Sequence, residues 1–139
     1  MNNIHRKRTW SSQTQLGDYF GISAKKVGSI LNHHGLRHGR RATNQAIQSG
    51  WAMLTPLRDG TPHYLWNSEK VVGLIGQHYV LLDEVDYWVQ LIQKRFRGFN
   101  RLLRMGKPDE AHKLPIFDDL PNSLYHEVMA KISQQQEAA

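Results

Sequence analysis

The chain has 139 residues, 40% of them hydrophobic and none of them cysteine, and 18 Lys and Arg against 12 Asp and Glu give it a net charge of +6. That length carries one ordinary domain with an appendage and excludes two large ones; no apolar run approaches the roughly 20 residues that cross a bilayer, and no apolar stretch follows the basic start Met1 to Arg8 as a secretory leader requires. The missing cysteines exclude a disulfide framework and suit a reducing compartment, so a cytoplasmic protein with no membrane partner is expected.

The charge is segregated along the chain. Residues 1–41 hold eight Lys and Arg against Asp18 alone, a balance of +7, whereas residues 42–139 hold ten against eleven, a balance of −1. A phosphate-neutralising surface in the first part of the chain accounts for such a split. Residues 1–11 read as a basic arm, 12–78 as the first folded domain, 79–133 as a helical extension and 134–139 as a frayed tail.

Ser12 is placed to cap a helix, and Leu16, Phe20, Ile22, Val27 and Ile30 supply the apolar positions that two short helices need to pack at a wide angle. Gly17 allows close approach, and Gly21 can take the positive φ that a tight inter-helix turn requires. Ser23 caps the second helix, which runs from about Ala24 to His33 or His34 and stops at Gly35. Its outward face carries Ser23, Ala24, Lys25, Lys26, Gly28, Ser29 and Asn32.

A polar, basic connector, Leu36 to Arg41, follows, and Thr43 then caps a short helix from about Asn44 to Ser49 that Gly50 terminates. Trp51 to Leu57 and His63 to Trp66 read as strands around a turn containing Asp59-Gly60. Pro56 and Pro62 would remove ladder donors from a central strand, so this hairpin is expected at a sheet edge or as a free-standing wing. Asn67 caps a helix of about Ser68 to Gln77.

This order looks like that of a winged helix-turn-helix. Phe20-Gly-Ile-Ser-Ala-Lys-Lys-Val27, within Leu16 to Leu31, together with Gly50-Trp51, Asp59-Gly60 and the aromatic strand ending at Trp66, resembles the DNA-binding domain found at the C-terminus of phage antirepressor-type proteins. The resemblance covers Ser12 to Ile75, about half of the chain, and implies double-stranded DNA as partner. The chain is expected to lack the separate N-terminal domain of that family and to add a long helical segment, so an antirepressor role does not follow from the resemblance.

From Asp83 to Met105 the pattern is one long amphipathic helix with Val85, Trp88, Val89, Leu91, Ile92, Phe96, Phe99, Leu102 and Leu103 on a broad stripe. Its length favours a partner, and Trp88, Ile92, Phe96, Phe99 and Leu103 are the expected homodimer contacts. Lys94, Arg97, Arg101 and Arg104 fall on one face, either solvated or phosphate-contacting, while Arg95 projects towards the apolar side. Gly106 and Pro108 end the helix; Leu114 to Leu120 with Pro115 and Pro121 is a connector. A final helix of about Ser123 to Ser133 carries Leu124, Val128 and Ile132 on one edge. The expected fold class is thus mainly α with a small β-hairpin, a winged helix-turn-helix followed by a long amphipathic and a short C-terminal helix.

The candidate DNA-contacting residues are Ser23, Lys25, Lys26, Ser29, Asn32 and His33 on the second helix, Arg37, His38, Arg40 and Arg41 on the connector, and Arg58 and Thr61 at the hairpin tip. Asn suits adenine, Lys suits guanine or phosphate, and connector arginines need only charge and reach. An exposed tip can enter or brace against a minor groove. Trp51 and Trp66 read as core aromatics rather than stacking platforms.

His33, His34 and His38 do not form a facial metal set, because neighbours on a helix diverge by about 100° and Gly35 interposes. His126-Glu127 lacks the second histidine of a zinc protease, and Asp109-Glu-Ala-His112 has no phosphate-binding loop to accompany it. With no nucleophile or paired carboxylates, the chain is expected to be no enzyme and to need no metal or cofactor. A regulator of transcription or replication of phage, plasmid or bacterial type, acting as a dimer on duplex DNA, is the first expectation. The second is a protein-interaction module that uses the same fold as an adaptor or antirepressor binding another protein.

Overall fold

Among the described residues, five helices begin where a side-chain oxygen takes up an otherwise orphan amide. In the computed structural model, which describes residues 8–138, Ser12 Oγ accepts from Gln15 N and the Gln15 side chain accepts from Ser12 N, a reciprocal capping box. Ser23, Thr43, Asn67 and Asp83 cap the next helices in the same way, each accepting from the amide three residues on. The described residues hold seven α-helices and two small antiparallel sheets, and the chain divides into two compact units, residues 1–82 and 83–139.

The first unit runs β1 (Trp10–Ser11), α1 (Gln13–Phe20), α2 (Ala24–His33), β2 (Arg37–His38), β3 (Arg41–Ala42), α3 (Asn44–Gln48), β4 (Ala52–Leu54), β5 (Tyr64–Asn67) and α4 (Ser68–Ile75). Gly21 ends α1 at φ 71°, and its amide donates to Gly17 O. Gly17 itself faces the turn so closely that a Cβ there would collide with the Ile22 carbonyl. Leu16, Tyr19, Phe20, Val27 and Leu31 from the helix pair join Ala46, Trp66, Val71 and Ile75 as buried residues of this unit.

Trp10 and Ser11 do not belong to a free arm. They pair with β5, Trp10 opposite Asn67 and Ser11 opposite Trp66, so the sheet order is β1-β5-β4. β5 is therefore a central strand, and the hairpin is rooted in the sheet rather than free-standing. Pro56 and Pro62 fall outside both strands, where no ladder donor is lost. Ser11 and Ser68 are fully buried with their hydroxyls 2.6 Å apart, which satisfies two polar groups that the core could not otherwise hold. The connector after α2 is ordered as well: β2 and β3 form a two-residue ladder, with Gly39 at φ 59° as the first of two loop residues.

The second unit contains α5 (Glu84–Arg104), α6 (Pro108–His112), a 3₁₀ turn at Asn122–Leu124 and α7 (Tyr125–Ala138). Val89 and Ile92 of α5 meet Leu120, Val128 and Ile132 in a buried cluster, with Val85, Trp88, Ile116, Leu124 and Met129 packed around it. α6 was hidden behind its proline, since Pro108 occupies the first helical turn, where a missing N–H costs nothing. Residues 134–138 are not frayed; they continue α7, and Gln93 Nε2 donates to Gln135 Oε1 at 2.6 Å.

Arg95 projects towards the apolar side because it has partners there. Its Nη1 donates to Ile116 O at 2.9 Å and to Asp119 Oδ1 at 2.8 Å, and Nη2 donates to Asp119 Oδ2 at 3.1 Å. That bidentate bond to Asp119 raises the guanidinium pKa further above its ordinary value. Lys131 of α7 pairs with Asp86 of α5, which raises the lysine pKa in turn. Among the described residues no helix is long and apolar enough to cross a membrane.

Candidate nucleic-acid interface

The turn at Gly21 and the cap at Ser23 fix how α2 leaves the helix pair. Val27 and Leu31 are its fully buried residues, so Lys25, Lys26, Ser29, Asn32 and His33 are carried outward, and all five are exposed. Lys25, Ser29 and Asn32 stand at i, i+4 and i+7 and share one face. Two of the hydroxyls on this helix are engaged locally: Ser23 Oγ accepts from Lys26 N at 3.0 Å, and Ser29 Oγ donates to Lys25 O at 3.1 Å. Lys25, Lys26, Asn32 and His33 are thus the groups with polar reach left over.

Gly28 departs from its expected place on the outward face. It is buried, and a Cβ there would collide with the Arg37 guanidinium and crowd the Gln13 amide. Arg37 therefore lies across α2 and is half-buried, while Gln13 Nε2 donates to Ala24 O at 3.2 Å. Of the connector set, His38, Arg40 and Arg41 are exposed, and His38 sits opposite Arg41 in the ladder.

Arg40 reaches a small cleft of about 170 Å³ lined by Ser12, Gln13 and Thr14 at the start of α1 and by Pro62, His63 and Tyr64 at the hairpin base. Lys26, Ser29 and His33 line one wall of an open groove of about 520 Å³ whose other members are Ile30, His34, His78 and Tyr79. His78 and Tyr79 had no local signal, because they reach α2 only through the fold of the segment after α4. The His33 and His34 rings meet edge to face at 5.3 Å. Among the described residues no group of three His, Asp or Glu side chains is arranged to hold a metal ion.

Arg58 and Thr61 are exposed at the hairpin tip, where Gly60 at φ 85° closes the turn. The Thr61 amide donates to the Asp59 carboxylate at 2.9 Å, and hydrogen bonding from Thr61 holds that group below the ordinary carboxylate pKa. The tip therefore presents one cation and one ionised acid. Trp66 is buried in the core, and Trp51 is half-buried with Lys70 Nζ 5.4 Å from its ring centroid.

Residues 1–82 hold ten Lys and Arg against three acids. Arg6 and Lys7 lie outside the described residues; Arg8 is exposed. Of the expected dimer contacts, Ile92 is fully buried in the chain's own core and Trp88 packs against that core, because α7 covers the stripe. Ile92 is therefore not available to a second copy in this arrangement, whereas Trp88 is half-buried. Phe99 is half-buried against the His112 ring, whereas Phe96 and Leu103 are exposed. Comparison with protein-family models, curated proteins and solved structures finds no match to this chain.

Proposed function

We propose that the chain is a sequence-specific double-stranded DNA-binding protein, a regulator of transcription or replication of the phage, plasmid or bacterial type, with the first unit acting as a winged helix-turn-helix. The observation that carries this reading is α2: a helix set off by a left-handed glycine turn, anchored by Val27 and Leu31, that turns Lys25, Lys26, Asn32 and His33 outward in the part of the chain where the positive charge is concentrated. α2 is the recognition helix, and the β4–β5 hairpin is the wing. The likeness of Phe20 to Val27 to antirepressor DNA-binding domains supports the same assignment. Arg40 and Arg41 hold phosphates, and Lys25 and Asn32 read base edges. Binding requires no chemistry, metal or cofactor in this reading. The protein acts as a dimer in the cytoplasm, with Phe96 and Leu103, the exposed members of the α5 stripe, at the contact.

Fluorescence anisotropy on a mixed-sequence duplex across a salt series tests the assignment. Micromolar binding with a steep salt slope is expected, and no binding at low salt refutes it. On a selected site, Lys25→Ala or Asn32→Ala should cost about 1–3 kcal/mol, whereas Arg40→Ala should weaken every sequence alike and lower the salt slope by about one. If both kinds of change act equally on all sequences, the division into base-reading and phosphate-holding residues is wrong.

A further inference from the structure

The second unit has a net charge of −1, but its charges are sorted by position along α5. Asp83, Glu84 and Asp86 open the helix, and residues 94–107 then contain six Lys and Arg and no acid. Arg97, Arg101 and Arg104 stand at i, i+4 and i+7. On a helix that places them within about 60° of one another, along about 10 Å of axis, roughly 120–180° round from the buried Ile92 and about 60–120° from the buried Val89. All three are exposed.

The structural uses of charge in this unit look different. Arg95 is partly buried and bonded to Ile116 and Asp119, and Lys131 is paired with Asp86. Among the described residues, no ion pair engages Arg97, Arg101 or Arg104. Like charges at these spacings repel. The helix dipole compensates Arg101 and Arg104, but its influence fades beyond the last turn and leaves Arg97 unexplained. An arginine offers a planar fork of donors that matches phosphate oxygens, which a merely solvated face does not need.

We propose that Arg97, Arg101 and Arg104 form a second phosphate-contacting ridge that engages the backbone of duplex DNA independently of sequence. The inference rests on the DNA-binding reading of the first unit and adds a non-specific anchor to it. Ten ångströms of helix laid along a duplex pass about six backbone charges, enough for each arginine to take one.

The test is salt-series anisotropy of the full chain carrying R97Q/R101Q/R104Q, on a mixed-sequence duplex longer than one helical turn. Three lost contacts should lower the slope of log K against log salt by about 2.7 and cost on the order of 10²-fold in affinity at 0.1 M salt. The charge-retaining R97K/R101K/R104K should keep most of the slope, and circular dichroism should show unchanged helix content in both. A wild-type slope in the Gln variant overturns the ridge. So does loss of binding to polyglutamate with duplex binding unchanged, which would mark an acidic protein as the partner. K25Q/K26Q/R41Q separates the two readings: if it leaves duplex affinity intact while the ridge variant loses it, the assignment to α2 fails and the ridge stands. Absence of duplex binding by the wild type overturns both.

Discussion

Gly17→Ala is the sharpest test of how the α1–α2 pair is built. In an exposed helix interior this change should stabilise by about 1 kcal/mol through propensity alone. At Gly17 the new methyl would collide with a backbone atom, the Ile22 carbonyl oxygen, and not with a movable side chain. The turn cannot retreat cheaply, because Ile22 N and Gly21 N both donate to Gly17 O and Gly21 is held at φ 71°. Overpacking of that kind costs about 1–3 kcal/mol, so the net effect should be a loss of about 0–2 kcal/mol. Gly28→Ala is the internal control. Its methyl would meet the ends of the Arg37 and Gln13 side chains, which can both swing away, so stability should change little while the two are displaced. Native-state amide exchange of the Val27 and Leu31 amides reads both variants and resolves this unit from the other. Gly17→Ala with protection equal to or above that of Gly28→Ala would refute the close-approach argument.

Arg95→Met should destabilise the second unit by about 1–3 kcal/mol, because it strands the Ile116 carbonyl. Asp119→Ala should cost under about 1 kcal/mol, its carboxylate being mostly exposed; equal losses in a denaturant titration would count against the backbone bond as the larger contribution. Because the Thr61 donors hold Asp59 below the ordinary carboxylate pKa, its support of the tip is present above that ordinary value and disappears as pH falls through the folded value. An acid titration of the Thr61 amide by NMR should have its midpoint below the usual carboxylate range, and Asp59→Asn should abolish it.

Four helix starts were readable because each rests on one local bond: Ser12, Ser23, Thr43 and Asn67 are good caps in any fold that contains those helices, whereas Asp83 was counted inside the helix it caps. What could not be read depended on distant residues. β1 is two residues long, too short to show a period, and its partner lies beyond position 65. Gly28 shows an outward helical position, and only the return of Arg37 covers it. The stripe on α5 displays its width in the sequence but not that α7 takes up Ile92 and Trp88. The outward positions of Lys25, Lys26 and Asn32 were recoverable from periodicity, whereas His78 and Tyr79 were not, since nothing local ties them to α2.

The pairing of Ser11 with Trp66 and with the Ser68 hydroxyl sets the order in which the first unit can be completed. Contacts between α1 and α2 close over few residues and can form as soon as both helices exist. The central strand acquires its second neighbour only by closing a loop of more than fifty residues. On a ribosome, Trp10 and Ser11 emerge before the helix pair yet must wait unpaired until β5 follows, so this early-synthesised strand gains its ladder later than the helices it precedes.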